Sequence, residues 1–187
     1  MLDRFFEWQK SRSDPRFKSY REARLIYENY IYGKRIQFDL LSPLQCKEAL
    51  HNERLRRAEN LYRQAITLSR NSDALGDVAT GLYQLGMLLH LQGRFSEAQK
   101  PLEESIRILE ELPKTGQSKQ ATVSGCHYHL GIMACRKGDI YRGKQHLEKS
   151  LEIDESNSDI QGMSLTRAAL NKCNELAKSG IGEWKEA

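Results

Sequence analysis

Apolar residues recur at three- and four-residue steps along much of the chain. Ala98, Leu102, Ile106 and Leu109 form one such series, and Leu147 and Leu151 belong to another. This spacing places the apolar side chains on one face of an α-helix and leaves the opposite face polar. Only four prolines are present, fewer than the many turns of an all-β sandwich would need. The pattern therefore predicts an all-α protein built from amphipathic helices.

Two stretches of the chain match each other at an offset of 45 residues, the first starting at Leu82 and the second at His127. Under this offset Leu85-Gly86 aligns with Leu130-Gly131, and Gly93 aligns with Gly138. Repetition at a fixed period of this length is typical of stacked helical units, each of which buries its apolar face against the next.

The glycines of this repeat predict two different structural features. Gly86 and Gly131 fall in the middle of predicted helices, where glycine costs about 1 kcal/mol relative to alanine. We expect a neighbouring helix to pass close to each of them. Gly93 and Gly138 follow an apolar series and precede another, as a glycine just past a helix end does. Asp139 is then a suitable N-cap for the following helix.

The spacing resembles the signature of the tetratricopeptide repeat family, W-x2-L-G-x2-Y followed by A-x3-F. The signature corresponds to Leu82-x2-Leu85-Gly86-x2-Leu89 with Ala98-x3-Leu102, and to His127-x2-Leu130-Gly131-x2-Ala134 with Gly143-x3-Leu147. The resemblance implies a right-handed α-solenoid of about three helical hairpins. Because the family's usual repeat is about 34 residues and lacks the extra length seen here, the chain resembles a longer-repeat variant.

The resulting domain prediction has two parts. Residues 1–42 form an N-terminal aromatic-rich helical cap and residues 43–187 a tetratricopeptide-like domain, with hairpins at about 43–70, 73–112 and 117–153 and a capping helix at 157–178. The first hairpin is degenerate, because Cys46 and Glu53 replace the two expected glycines, so residues 43–70 could equally be one continuous helix. Ser42 and Gln45 predict a capping box at its start.

The N-terminal segment carries most of the aromatic residues, including Phe5, Phe6 and Trp8. Asp14-Pro15 and Gly33 bracket a helix of about 18 residues by their capping chemistry. We favour packing of this region on the first hairpin as a cap, since aromatic residues at helical spacing are usually core residues. The alternatives are that it occupies the concave groove of the repeats or forms a homodimer contact.

Composition and charge narrow the class of protein. The chain has 39% hydrophobic and 29% charged residues, as in soluble folded proteins. It contains neither a signal-peptide-like apolar run at its N-terminus nor a candidate membrane span. The net charge of +4 is concentrated in residues 1–70, which we interpret as a solvated helix surface rather than a nucleic-acid site. The widely spaced Cys46, Cys126, Cys135 and Cys173 predict reduced thiols in a cytoplasmic protein.

Candidate chemistry is sparse. No phosphate-binding loop, dinucleotide fingerprint or nucleophile elbow is present, so we predict no enzyme and no cofactor. Cys126, His127 and His129 are close in sequence, with Cys135 and His90 as further candidate ligands. A zinc site needs four ligands in tetrahedral array, and the sequence offers no second pair, so we predict no metal.

The resemblance also predicts a binding surface, because the first helix of each hairpin lines the concave groove in this family. The residues placed there by register are Thr80, Tyr83, Met87, His90, Tyr128, His129, Ile132, Arg136, Leu165 and Lys172. Aromatic and methionine side chains suit an adaptable apolar contact with a peptide or helix. Family members that clamp a C-terminal carboxylate use Lys, Asn and Arg on these helices, and Tyr83 and Tyr128 do not match them.

The predicted function is that of a protein-binding adaptor or assembly scaffold. Two alternatives remain at the level of sequence. One is a dedicated chaperone for a secreted or assembled client protein, and the other is a nucleic-acid-associated factor that uses the basic N-terminal half.

Overall fold

A computed structural model of the chain describes residues 14–113 and 117–179. The secondary structure of these residues consists of helices joined by short loops, without strands. The α-helices of this part are α1 (Pro15–Lys34), α2 (Pro43–Leu50), α3 (Glu53–Arg70), α4 (Leu75–Leu91), α5 (Phe95–Glu111), α6 (Gln117–Arg136), α7 (Ile140–Ser156) and α8 (Ile160–Ser179), with a short 3-10 helix at Phe38–Leu40. The predicted all-α solenoid class is confirmed. The predictions for Phe5, Phe6 and Trp8 lie outside the described residues.

The predicted helix starts depend on side-chain caps. Asp14 accepts a hydrogen bond from the Arg16 backbone N–H at 2.9 Å, and Pro15 occupies the first turn of α1. At the start of α2, the Gln45 N–H donates to Ser42 Oγ at 3.2 Å, and the Ser42 N–H donates to Gln45 Oε1 at 2.8 Å. The predicted capping box is confirmed. These contacts satisfy backbone donors that have no partner within the helix.

The helix ends predicted at Gly93 and Gly138 are confirmed, because both residues adopt left-handed backbone angles, with φ of 74° and 86°. Glycine adopts such angles without steric cost. Asp139 accepts a hydrogen bond from the Arg142 N–H at 3.0 Å and caps α7. The end predicted at Gly33 is wrong. Helix α1 continues to Lys34, and Arg35 takes the left-handed position with φ of 51°.

Each long helix packs against the next along the chain, and glycines permit the closest approaches. A Cβ atom at Gly86 in α4 would lie 2.5 Å from Leu102 Cγ in α5. A Cβ atom at Gly131 in α6 would lie 2.6 Å from Leu147 Cγ in α7. Real Cβ atoms do not approach neighbours this closely, so the close passage expected at both glycines is confirmed.

The first hairpin differs from the one predicted at 43–70. Helices α2 and α3 are separate, and Asn52 caps α3 by accepting a hydrogen bond from the Leu55 N–H at 3.1 Å. The antiparallel partner of α3 is α1. Ser19 of α1 donates to Gln64 at 3.3 Å, and the rings of Tyr20 and Tyr62 lie 5.9 Å apart.

Helix α2 has eight residues, too few to cover the buried face of α3, whereas α1 has twenty. Ala23 and Tyr27 of α1 are buried in the same core as Tyr62 of α3. Residues 35–52 therefore form an insertion between the two helices of the first hairpin. We refer to this segment as the insertion.

The described residues form two hydrophobic cores. The larger core extends from α1 to α6. The smaller core lies among α6, α7 and α8 and consists of Ile132, Cys135, Leu147, Ala169 and Cys173. Phe38 of the insertion packs against both cores.

Cys135 of α6 and Cys173 of α8 form a disulfide, with 5.6 Å between their Cα atoms. The prediction that all four cysteines are reduced thiols is therefore wrong for this pair. The two residues are 38 positions apart, and the stacking of α8 on α6 brings them together. Cys46 and Cys126 are free and buried.

Candidate functional site

The first helices of successive hairpins, α1, α4, α6 and α8, contact one another in that order. Together they form one face of the stack, which we call the inner face. This is the surface on which the resemblance places the binding groove.

The insertion lies on the inner face. Its 3-10 helix contacts α6 and α8, and α2 contacts α4. The ring of Phe38 lies 5.0 Å from the ring of His90 and 4.6 Å from that of His129. Arg136 donates a hydrogen bond to the backbone oxygen of Phe38 at 2.7 Å. The segment that follows α1 therefore occupies part of the groove, while α1 itself pairs with α3.

The insertion reduces the solvent exposure of several predicted groove residues. Four of them are buried: His90, His129, Ile132 and Arg136. His90, His129 and Arg136 lie under Phe38, and Ile132 packs in the smaller core. The remaining predicted residues keep some solvent exposure, namely Thr80, Tyr83, Met87, Tyr128, Leu165 and Lys172.

Four histidines form two pairs, of which His90 and His129 are buried and His127 and His146 are half-buried. Nδ1 of His90 and Nδ1 of His129 lie 3.0 Å apart, and Nδ1 of His127 lies 2.9 Å from Nδ1 of His146. Burial lowers the pKa of His129 to about 3 and that of His127 to about 4. These imidazoles are therefore neutral near pH 7, and one ring of each pair donates to the other.

The cluster weighed as a metal site does not assemble in the described part of the chain. No group of three or more His, Cys, Asp or Glu side chains there is arranged to hold a metal ion. His90 and His129 face each other, His127 faces His146, and Cys135 is in the disulfide.

Within the described residues, the inner face also contains a cavity. It has a volume of about 330 Å³ and lies between the insertion, α6 and α8. It brings together four of the predicted groove residues, Tyr83, Tyr128, His129 and Leu165. Thr80, Met87 and Lys172 do not line it. The cavity is the candidate functional site.

Sequence reasoning missed the polar side chains of this cavity, which form a hydrogen-bond network across α6, α7 and α8. Asp154 accepts hydrogen bonds from the hydroxyls of Ser124 and Thr166, the latter at 3.1 Å. The hydroxyls of Ser124 and Ser150 lie 3.0 Å apart. Burial raises the pKa of Asp154, while the Ser124 and Thr166 hydrogen bonds act in the opposite direction. Asp39 and Asp159 also line the cavity.

A row of helical hairpins, each packed on the next along the chain, defines an α-solenoid. Residues 49–111, which cover α3 to α5, match the family model of the tetratricopeptide repeat, so the family predicted from the sequence is confirmed. Neither the curated proteins nor the solved structures gave a match to the chain.

Tetratricopeptide repeats generally mediate protein–protein interactions, and the family is typically non-catalytic. Among the described residues, no helix combines the length and hydropathy that crossing a membrane would require. The cytoplasmic location, the homodimer contact and the chaperone and nucleic-acid alternatives stay predictions.

Proposed function

We propose that this protein is an adaptor that binds a peptide segment of a partner protein at the cavity between the insertion, α6 and α8. The observation that carries the proposal is the position of this cavity. It lies on the inner face beside the insertion, and Tyr83, Tyr128 and Leu165 line it.

The size of the cavity limits what it accepts. A volume of about 330 Å³ is at the lower end of the range for small-ligand pockets, enough for one or two side chains. We therefore expect one anchoring side chain of the partner to enter the cavity while neighbouring residues lie on its rim. Leu165, which is 46% exposed, supplies an apolar contact at that rim.

A random-peptide display library tests this proposal, with Leu165→Glu as the site variant. Ile160→Glu is a matched control, because Ile160 is also on α8 and exposed but does not line the cavity. We expect the wild-type protein and Ile160→Glu to select the same peptides and Leu165→Glu to lose them. A library that enriches no peptide, or enrichment that persists in Leu165→Glu, would overturn the proposal.

A further inference from the structure

We propose that the cavity binds a basic side chain of the partner, an arginine or a lysine, between its carboxylates and its aromatic rings. This inference rests on the proposed function, because it names the side chain that anchors the partner's peptide.

Among the described residues, the charged side chains that line the cavity are all carboxylates: Asp39, Asp154 and Asp159. Arg136 does not line the cavity but interacts electrostatically with Asp39, so Asp154 and Asp159 are the carboxylates available to a ligand. His129 also lines the cavity, but burial lowers its pKa to about 3, so it carries no positive charge near pH 7. A ligand of complementary charge is therefore cationic.

Asp154 is 4% exposed, yet no Arg or Lys side chain of the described residues forms an ion pair with it. Glu59 shows how this chain treats another buried carboxylate. Arg94 and Arg63 lie 2.6 and 2.8 Å from its two oxygens. A carboxylate removed from water needs both hydrogen bonds and a counter-charge to offset its desolvation. Asp154 has the hydrogen bonds, and a bound cation would supply the charge.

Asp159 increases the negative charge at the same place. A Cβ atom at Gly162 would lie 2.9 Å from a carboxylate oxygen of Asp154 and 2.9 Å from one of Asp159, so the two groups flank this glycine. Burial is the largest cause of the raised pKa of Asp154, and repulsion from Asp159 acts in the same direction, since two like charges in proximity oppose each other's ionisation. A cation bound between them would relieve the repulsion.

Aromatic rings also line the cavity. Phe38, Tyr83 and Tyr128 all line it. The face of an aromatic ring attracts a guanidinium or ammonium group, and the attraction is stronger where water is excluded. A cavity lined by both carboxylates and rings suits an arginine side chain, which has a charged planar end and an apolar stem.

The sharpest test changes one atom of the ligand. An arginine-containing peptide selected from the display library is compared with the same peptide carrying citrulline, which has nearly the same shape without the charge. Calorimetric titration should give at least tenfold weaker binding for the citrulline peptide, and the arginine peptide should bind more weakly as salt is added. Equal affinity of the two peptides would overturn the inference.

Variants of the protein provide the second measurement. Asp159→Asn keeps the cap of α8, in which the Gly162 N–H donates to this residue at 2.9 Å, because asparagine caps as well as aspartate. We expect this variant, and Asp154→Asn, to bind the arginine peptide at least tenfold more weakly. Glu110→Gln is the control, since Glu110 is exposed on α5 and should change nothing. Unchanged affinity in Asp159→Asn would count against the inference, even if Asp154→Asn fails to fold.

The outcomes separate this inference from the proposed function. Selected peptides that depend on Leu165 but contain no basic residue would overturn the inference and leave the adaptor function intact. The absence of any peptide that depends on Leu165 would overturn both.

Discussion

The two best-matched repeats, α4–α5 and α6–α7, have the same backbone plan but fill one region of it differently. At the 45-residue offset, Ala79 corresponds to Ser124 and Leu109 corresponds to Asp154. Leu109 and Asp154 are nearly equally buried, at 5% and 4% exposed. We call α4–α5 the front repeat and α6–α7 the rear repeat. The front repeat thus places a leucine in the core where the rear repeat places a carboxylate.

The shared serine shows what this substitution changes. In the front repeat, Ser105 donates to the backbone oxygen of Ala79 at 2.7 Å and joins two neighbouring helices. In the rear repeat, the equivalent Ser150 lies 3.0 Å from the hydroxyl of Ser124 and 3.3 Å from that of Thr166, beside Asp154. The front repeat is arranged for packing, whereas the rear repeat buries a polar network next to an open cavity. Burial of a charge is costly, and the proposed binding of a cation beside Asp154 would offset that cost.

The rear repeat is also joined to α8 by a disulfide in addition to apolar packing. The smaller core has few apolar residues, and the Cys135–Cys173 disulfide crosses it. In the chain-entropy treatment, a cross-link over a loop of this length contributes about 4 kcal/mol. Helices α6 and α8 form two walls of the cavity, so the disulfide also fixes the distance between those walls.

The largest expected effect comes from moving the carboxylate into the front repeat. Leu109→Asp should lower the free energy of unfolding by about 4 kcal/mol, because the site offers no hydroxyl donors equivalent to Ser124 and Thr166. Chemical denaturation measures the change. Leu109→Asn is the control, since it removes the same packing without adding a charge, and it should cost less. Equal losses for the two variants would show that the charge of the carboxylate does not contribute to the difference between the repeats.

Removal of the disulfide should have the next largest effect, and it should be local. Replacing both Cys135 and Cys173 by alanine should cost about 3–4 kcal/mol and increase hydrogen exchange in α8 more than in α4 or α5. A reducing agent should produce the same pattern in the wild type and no further change in the double variant. Uniform loss of protection along the whole stack would contradict a local role for the cross-link.

Much of the fold could be predicted because its signals are local in sequence. The apolar period and the glycines at 86, 93, 131 and 138 place α4 to α7 correctly, since each helix packs on its neighbour in the chain. The insertion could not be placed in this way. The bond between Phe38 and Arg136 spans 98 residues, and the disulfide spans 38, so no short-range pattern reports either contact.

The candidate site was predictable only in part. Repeat register found Tyr83, Tyr128 and Leu165, which do line the cavity, but it also selected His90 and Arg136, which the insertion covers. A comparison of the two repeats position by position would have found the carboxylate, because Asp154 replaces a core leucine at the 45-residue offset. That signal identifies an unusual residue but not the cavity beside it, since the insertion that forms one wall comes from a distant part of the chain.

The smallest expected effect on stability comes from the reverse exchange, Asp154→Leu, and it has the opposite sign to Leu109→Asp. Desolvation is the largest cause of the raised pKa of Asp154, so its burial opposes folding, and leucine removes that cost. Replacing a buried charge by an apolar side chain is often neutral or stabilising, and we expect a gain of about 1 kcal/mol in chemical denaturation.

The same variant should lose binding of the arginine peptide, which separates the role of Asp154 in recognition from any role in folding. After the exchange, the hydroxyls of Ser124 and Thr166 can still form hydrogen bonds with the hydroxyl of Ser150, which lies close to both. If Asp154→Leu instead destabilised the protein by more than about 2 kcal/mol, the carboxylate would be required to organise the three hydroxyls. Its burial would then be explained by the stability of the rear repeat, without any ligand.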